Sequence, residues 1–214
     1  MCNIGKDSRE SPTPRPALWP LTLVAVTLII AAIGAVRAAD VAGVRIDQSV
    51  RVGGIDLVLN DAGLRSSFMT SIYVIGLYLP EPRTSADAAI SVAGPKRIAL
   101  TLMRDVSAQS LVVALYEGVR DNTSEAEFAH LKNSTDALAA IMLPLQVAKK
   151  GDVVAIDYVP NSGAQVVVND RSIGQAIPGK DLYRALIKIW LGDAPVDTKL
   201  KRALLLGAPL KGVL

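Results

Sequence analysis

The stretch FMTSIYVIGLYL, residues 68–79, is the most apolar segment of the chain beyond its first forty residues. When it is extended, apolar and β-branched side chains fall on both of its faces, which is typical of a central strand covered on both sides. Pro80 and Pro82 follow it, and proline does not continue a strand inside a sheet. We therefore predict that residues 68–79 form the central strand of the fold.

Strands and helices flank this strand in groups. Short alternating runs at 44–59 surround Gly53-Gly54 and predict a hairpin. Further strands are predicted at residues 97–103, 151–159 and 164–169, and helices at residues 85–92, 107–119, 124–147, 180–191 and 196–206. Because this order contains few βαβ units, it favours an α+β fold, with an antiparallel sheet and helices packed on one face.

Local signals mark the starts of the two middle helices. Ser107 is a candidate N-cap, since its hydroxyl can accept a hydrogen bond from a free amide of the first turn. Ser124 and Glu127 have the spacing of a capping box. Pro144 is predicted to kink or end the second of these helices near its last turn.

Residues 1–38 are predicted to be a signal peptide. Residues 17–36 (ALWPLTLVAVTLIIAAIGAV) carry no charge, Arg15 precedes them, and Ala38 follows with small residues at the usual cleavage positions. About 20 apolar residues also suffice to span a bilayer, so an uncleaved N-terminal anchor is the alternative. Both interpretations place the folded domain, residues 39–214, outside the cytoplasm, in the periplasm or the extracellular space. If the signal is cleaved, we expect no membrane span in the mature chain.

Composition argues against several classes of function. The 214 residues carry a net charge of +3, and the first 39 hold four basic and two acidic side chains, so the remaining body is nearly neutral. It lacks the basic surface expected of a nucleic-acid-binding protein. Cys2 and His130 are the only cysteine and histidine, which argues against a zinc cluster, an iron–sulfur site or a Cys–His pair. We expect no metal and no cofactor, and we predict that His130 is a solvent-exposed side chain on a helix.

The segment GQAIPGK, residues 174–180, matches most of a phosphate-binding loop that leads into a helix. Asp181 stands where such a loop needs Ser or Thr for magnesium, and Pro178 removes an amide from the phosphate cradle. A nucleotide site is therefore not expected, and the segment is interpreted as a simple loop after a hairpin.

Arg65 ends the polar segment NDAGLR, residues 60–65, which is interpreted as a turn before the apolar strand. An arginine that enters an apolar cavity must be paired, and a ligand carboxylate or carbonyl is one such partner. Tyr73 lies eight residues later, on the same face as Arg65 if both belong to one regular strand, and its phenol can donate a second hydrogen bond. A surface arginine and a core tyrosine are the alternative interpretation.

These residues belong to a pattern that resembles the chalcone isomerase-like superfamily, specifically its exported bacterial branch. The resemblance lies in NDAGLRSSFMTSIYVIGLYLP (60–80), MRDVSAQSLVVALYEG (103–118), residues 151–158 with their hairpin, and YRALIKIWLGDAPVDTKLKRALL (183–205). It implies an open-faced β-sandwich, in which a large antiparallel sheet cups a long helix, with a layer of helices and a ligand cleft between them.

The resemblance also implies a site. In plant isomerases of this superfamily an arginine polarises the developing enolate, and Arg65 matches it. Tyr73 stands in place of their strand threonine, Arg120 lies near the position of their lysine, and Phe128 lies near that of a helix tyrosine. A second branch, whose members bind fatty acids without a known reaction, uses the same arginine with a tyrosine at the Tyr73 position.

We therefore expect an exported, non-catalytic binding protein for a fatty acid or a similar apolar carboxylate. The predicted ligand-binding residues are Arg65, Tyr73, Arg120 and Phe128. The predicted pocket wall consists of Ile75, Leu77, Leu100, Leu111, Leu115 and Phe128. Two alternatives stay open: an isomerase or intramolecular lyase of the chalcone isomerase type, and a structural or partner-binding envelope protein.

Overall fold

The computed structural model describes residues 38–205, and its largest element is a seven-stranded antiparallel sheet. The strands are β1 (Ala38–Val41), β2 (Val44–Asp47), β3 (Ser49–Val52), β4 (Ile55–Ser67), β5 (Thr70–Leu79), β6 (Lys96–Leu102), β7 (Val106–Ser107), β8 (Val147–Ala148), β9 (Val153–Val159), β10 (Gly163–Val168) and β11 (Arg171–Ile177). The helices are α1 (Ala86–Ser91), α2 (Ala108–Asp121), α3 (Glu125–Met142), α4 (Asp181–Leu191) and α5 (Thr198–Leu205). The large sheet has the order β11-β10-β9-β6-β5-β4-β3, while β1 pairs with β2 and β7 with β8.

Strand β5 is the predicted central strand, but it begins at Thr70 rather than at Phe68. Residues 74–79 are all buried, because helices cover one face of the strand and residues of the β1–β2 hairpin pack against the other. Phe68 and Met69 form the turn between β4 and β5, with φ of 46° and 63°, and both are fully exposed. Because both side chains are apolar, the sequence pattern does not indicate a turn at these positions. The predicted polar turn at 60–65 is accordingly wrong, since these residues lie inside β4.

The predicted helix starts are confirmed. The Ser107 hydroxyl accepts a hydrogen bond from the Ser110 amide at 3.1 Å, and Ser124 and Glu127 form the predicted capping box. Helix α3 ends at Met142, before the predicted end at 147, because Pro144 lies in a following 3₁₀ turn. His130 is exposed on α3, as predicted.

The edge strand β11 was not predicted, and the segment 174–180 therefore begins in a strand rather than forming a loop. Most side chains of β11 are polar or exposed, since an edge strand covers little of the core. Period-two alternation of apolar residues is consequently absent from this segment, which explains why the sequence pattern does not reveal it.

Helices α2, α3 and α4 pack over the inner face of the sheet around the main apolar core. Helix α5 lies against β4, where Gly63 has no side chain. A Cβ atom on Gly63 would lie 2.5 Å from Leu200 Cδ1 and 3.1 Å from the Cβ of Ala203, so a larger residue would require Leu200 to repack or α5 to shift. Arg65 is two residues further along β4, on the same face as Gly63. The close approach at Gly63 therefore brings the start of α5 next to Arg65.

Candidate ligand-binding site

A cavity of about 390 Å³ lies between the inner face of the sheet and helices α2 and α4. Most of its lining is apolar: Ile98, Leu100, Val154 and Ile156 from the sheet, Leu111, Ala114 and Leu115 from α2, Leu186, Ile189 and Trp190 from α4, with Met142 and Val196. Alternate residues of β6 and β9 reach the cavity because side chains of a strand alternate between its two faces. The volume lies within the range of small-molecule sites in proteins, about 300–1,000 Å³.

Tyr73 supplies a polar group at the wall of this cavity. Its hydroxyl accepts a hydrogen bond from Trp190 Nε1 at 3.0 Å. Burial raises the pKa of Tyr73 above the ordinary value of 10.0, although the Trp190 hydrogen bond and the positive charge of Arg65 oppose this effect. The phenol is therefore neutral at physiological pH. Among the described residues its own proton has no acceptor, so it can donate a hydrogen bond to a ligand.

Arg65 lies directly opposite Tyr73 in the pairing of β4 with β5, so both side chains point to the same face. Its Nη1 donates to the Ser66 carbonyl and lies 3.4 Å from Asp197 Oδ2. The Arg65 side chain is 20% exposed and that of Asp197 is 23% exposed. A charge-assisted hydrogen bond between nitrogen and a carboxylate normally measures about 2.7–2.9 Å, so the pairing of these two groups is loose.

Asp197 also caps the N-terminus of helix α5. Its Oδ1 accepts hydrogen bonds from the Lys199 amide at 2.8 Å and the Leu200 amide at 3.1 Å. Such a cap satisfies amides of the first helical turn that would otherwise have no partner. One carboxylate oxygen therefore holds the helix start, while the other faces the guanidinium of Arg65 beside the cavity.

The four predicted ligand-binding residues fall into two separate pairs. Tyr73 lines the cavity, and Arg65 lies next to it without being part of the lining. The guanidinium of Arg120 stacks 4.9 Å from the ring centroid of Phe128, outside this cavity. A role for Arg120 and Phe128 in ligand binding stays a prediction.

Three of the predicted wall residues do line the cavity, namely Leu100, Leu111 and Leu115. The other three predicted wall residues, Phe128, Ile75 and Leu77, are not part of this lining. Ile75 and Leu77 are only 1% exposed and belong to the solid core instead. The sequence shows which residues are apolar, but helix packing decides which of them border an opening.

Sequence reasoning missed Trp190, Asp197 and two acidic side chains of the lining, Glu117 and Asp121. Trp190 follows Leu186 by one helical turn, so both face the sheet, and this spacing was visible in the sequence. Asp197 precedes an amphipathic helix and is a typical N-cap residue. Its ion pair with Arg65 spans 132 positions and could not be deduced from local patterns.

Residues 38–205 contain neither a metal-binding cluster nor a membrane-spanning helix. No group of three or more histidine, cysteine, aspartate or glutamate side chains is arranged to hold a metal ion. No helix in this range is long and apolar enough to cross a bilayer. The predicted signal peptide, residues 1–38, lies outside the described residues except for its last position.

Comparisons with known proteins agree with this architecture. The structure is similar to the crystal structure of a fatty-acid-binding protein from Arabidopsis thaliana, with a TM-score of 0.63 and 14% sequence identity over 79% of this chain and 96% of that chain. At this identity the likeness concerns the fold, and it confirms the predicted α+β class and sandwich type. No protein with a curated function matches the sequence. A family model described as chalcone isomerase-like matches residues 38–206, and the chain therefore belongs to the chalcone isomerase-like family.

Proposed function

We propose that this protein is an exported, non-catalytic binding protein for a fatty acid or a similar apolar carboxylate. The observation that carries the proposal is the position of Arg65 and Tyr73, side by side at the edge of a mostly apolar cavity. A guanidinium and a phenol can each donate a hydrogen bond to one carboxylate. The leucine, isoleucine and valine side chains of the cavity would accept the acyl chain.

Asp197 acts as the counter-ion of Arg65 in the ligand-free protein. Its single contact of 3.4 Å leaves donor groups of the guanidinium available, and the carboxylate of a ligand can share or replace this contact. Asp197 would then keep its hydrogen bonds to the amides of α5 through Oδ1. Because Asp197 stays in place, the ligand adds a second negative charge beside Arg65, and the two carboxylates compete for the donors of one guanidinium.

Binding without catalysis is supported by the lining of the cavity. Its titratable side chains are Tyr73, Glu117 and Asp121, and the two acids lie on the exposed side of α2. A general acid or base must lie within hydrogen-bond reach of the reacting group, and Tyr73, with its raised pKa, is a poor base. The similar plant protein is named for fatty-acid binding, which also supports this function. Export is supported by the uncharged run at 17–36.

Native mass spectrometry of the purified full chain, followed by lipid extraction, tests the ligand class. We expect a co-purified acyl carboxylate, and a fluorescent fatty acid should be displaced by the free acid far better than by its methyl ester. Arg65→Gln should abolish this preference, while Arg51→Gln, which alters an exposed arginine on β3, should not change it. Equal binding of acid and ester would contradict the proposed head-group recognition. Turnover of a chalcone that is lost in Arg65→Gln would instead establish an isomerase.

Cell fractionation with N-terminal sequencing tests export. We expect the protein outside the cytoplasm, beginning near residue 39. A cytoplasmic chain with an intact N-terminus would contradict export without affecting the ligand proposal.

A further inference from the structure

A second cavity, of about 340 Å³, lies between the segment that joins α1 to β6 and the first turn of α4. It shares no lining residue with the apolar cavity described above. Three cationic side chains line it, Lys96, Lys180 and Arg184, and no carboxylate does. Its remaining polar and aromatic lining includes Tyr158 and Tyr183. The charge of this cavity is therefore of one sign.

Lys96 is the deepest of these cations, since the residue is only 6% exposed. Its ammonium lies 5.2 Å from the centroid of the Tyr158 ring, and among the described residues it has neither an ion pair nor a hydrogen bond. Burial lowers the pKa of Lys96. The adjacent Arg97 is different, because Asp157 holds its guanidinium through two hydrogen bonds of 2.6 and 2.7 Å. The stem of Lys96 is therefore buried while its ammonium still contacts solvent, and this charge has no anion beside it among the described residues, unlike that of Arg97.

The first turn of α4 adds further donors on the same side. Lys180, Tyr183 and Arg184 are spaced so that they share one face of the helix, and this face borders the cavity. The Lys180 side chain does not cap the helix, and the positive end of the helix dipole lies here. Tyr183 borders the cavity with its ring, while its hydroxyl is buried in the core and has no hydrogen-bond partner in the described part of the chain. Asp181 and Glu127 border a different groove, which Arg184 also reaches.

We propose that this second cavity binds a phosphate group, carried by a phosphorylated small molecule or by a lipid head group. Three cations suit a dianion better than a single carboxylate, because each phosphate oxygen can accept from a different donor. A helix start with free amides favours the same group. The segment GQAIPGK cannot cradle a phosphate as a loop, because it begins in β11, but it still brings Lys180 to the site. This inference does not depend on the proposed function of the first cavity.

Calorimetric titration of the purified full chain with inorganic phosphate and with glycerol 3-phosphate, at constant ionic strength, tests this site. We expect saturable binding that Lys96→Met weakens at least tenfold, since methionine keeps the packing on Tyr158 but removes the charge. Lys150→Met, which removes an exposed lysine far from the cavity in sequence, should leave the affinity unchanged. Arg184→Gln changes an exposed residue, is not expected to disturb folding, and should weaken binding about fivefold.

The unliganded melting temperature separates binding from folding. Lys96→Met should melt at about the same temperature as the parent protein, because it breaks no ion pair or hydrogen bond and methionine keeps the packing on Tyr158. Sedimentation with phosphatidylcholine vesicles that contain phosphatidic acid identifies the source of the phosphate. Retention that Lys96→Met abolishes indicates a lipid head group, and binding of the soluble probes alone indicates a small molecule. Absence of binding to every probe, or equal binding by the parent protein and both cavity variants, would overturn the proposal.

Discussion

Two arginine–aspartate pairs, each with its arginine on the large sheet, differ in how completely each partner is satisfied. Asp157 receives two hydrogen bonds from Arg97, at 2.6 and 2.7 Å, and the side chains of Arg97 and Asp157 are 14% and 11% exposed, respectively. These bonds raise the pKa of Arg97. Arg65 meets Asp197 at one contact of 3.4 Å, beside a cavity. Asp157 occupies two donors of Arg97, Nε and Nη2, whereas Arg65 keeps donors that a ligand can use. The comparison separates an arginine that stabilises the fold from one that can bind a ligand.

The largest effect is expected from breaking the closed pair. Asp157→Ala leaves the Arg97 charge buried without a partner, so the free energy of unfolding should fall by about 3 kcal/mol. Urea denaturation followed by circular dichroism measures this change. Asp197→Ala should cost about 1 kcal/mol, mainly through the lost helix cap. Equal losses in the two variants would contradict the distinction between the pairs.

For ligand affinity the order is reversed: changes at Arg65 should matter more than changes in the Arg97–Asp157 pair. Arg65→Gln removes a charge-assisted hydrogen bond, worth about 1.5–3 kcal/mol, and should weaken fatty-acid binding about 10- to 100-fold. A fluorescent displacement assay measures the change, and Arg51→Gln is the matched control. Unchanged affinity in Arg65→Gln would remove Arg65 from the site.

Tyr73→Phe should have a smaller effect, about 3- to 10-fold, because it removes one neutral donor worth about 0.5–1.5 kcal/mol. Binding of the methyl ester should change less than binding of the acid. Since burial raises the pKa of Tyr73 above 10.0, the phenol keeps its proton and fatty-acid affinity should be constant from about pH 7 to 9.5. An affinity that falls through this range in the parent protein, but not in Tyr73→Phe, would show that the phenol ionises earlier than the structure indicates.

The smallest effect is expected from neutralising Asp197. Asp197→Asn removes the competing negative charge while asparagine still caps α5. Fatty-acid affinity should therefore rise about threefold, with little change in stability. Asp170→Asn, in the exposed turn between β10 and β11, is the control and should not alter affinity. A weaker affinity in Asp197→Asn would mean that Asp197 orients Arg65 rather than competing for it.

Local signals in the sequence predict the helices better than they predict the site. Ser107 and the Ser124–Glu127 box were identified because capping depends on residues three positions apart. The juxtaposition of Arg65 and Tyr73 was anticipated for an incorrect reason. They do not lie along one strand, but opposite each other across the turn at Phe68 and Met69. Two apolar residues in a turn with positive φ go against ordinary turn preferences, so the sequence did not reveal it.

The polar partners of Arg65 and Tyr73 are too far away in the sequence to be predicted from local patterns. Trp190 meets Tyr73 across 117 positions, and Asp197 meets Arg65 across 132. Their positions depend on how α4 and α5 dock onto the sheet, which is decided by packing of the whole core. The sequence therefore predicts the site residues on the strands, Arg65 and Tyr73, but not their partners Trp190 on α4 and Asp197 at the start of α5.

Gly63 links the strand residues of the site to the helix residues, because its missing side chain allows α5 to pack closely against β4. Because Leu200 fills the space above Gly63, α5 is seated at a depth that sets how far Asp197 stands from Arg65. A methyl group at this position would meet the end of the Leu200 side chain and the Cβ of Ala203, so Leu200 would have to change rotamer or α5 would have to shift. Either adjustment affects the helix that carries Asp197, so a residue without any polar group can influence the counter-ion of Arg65.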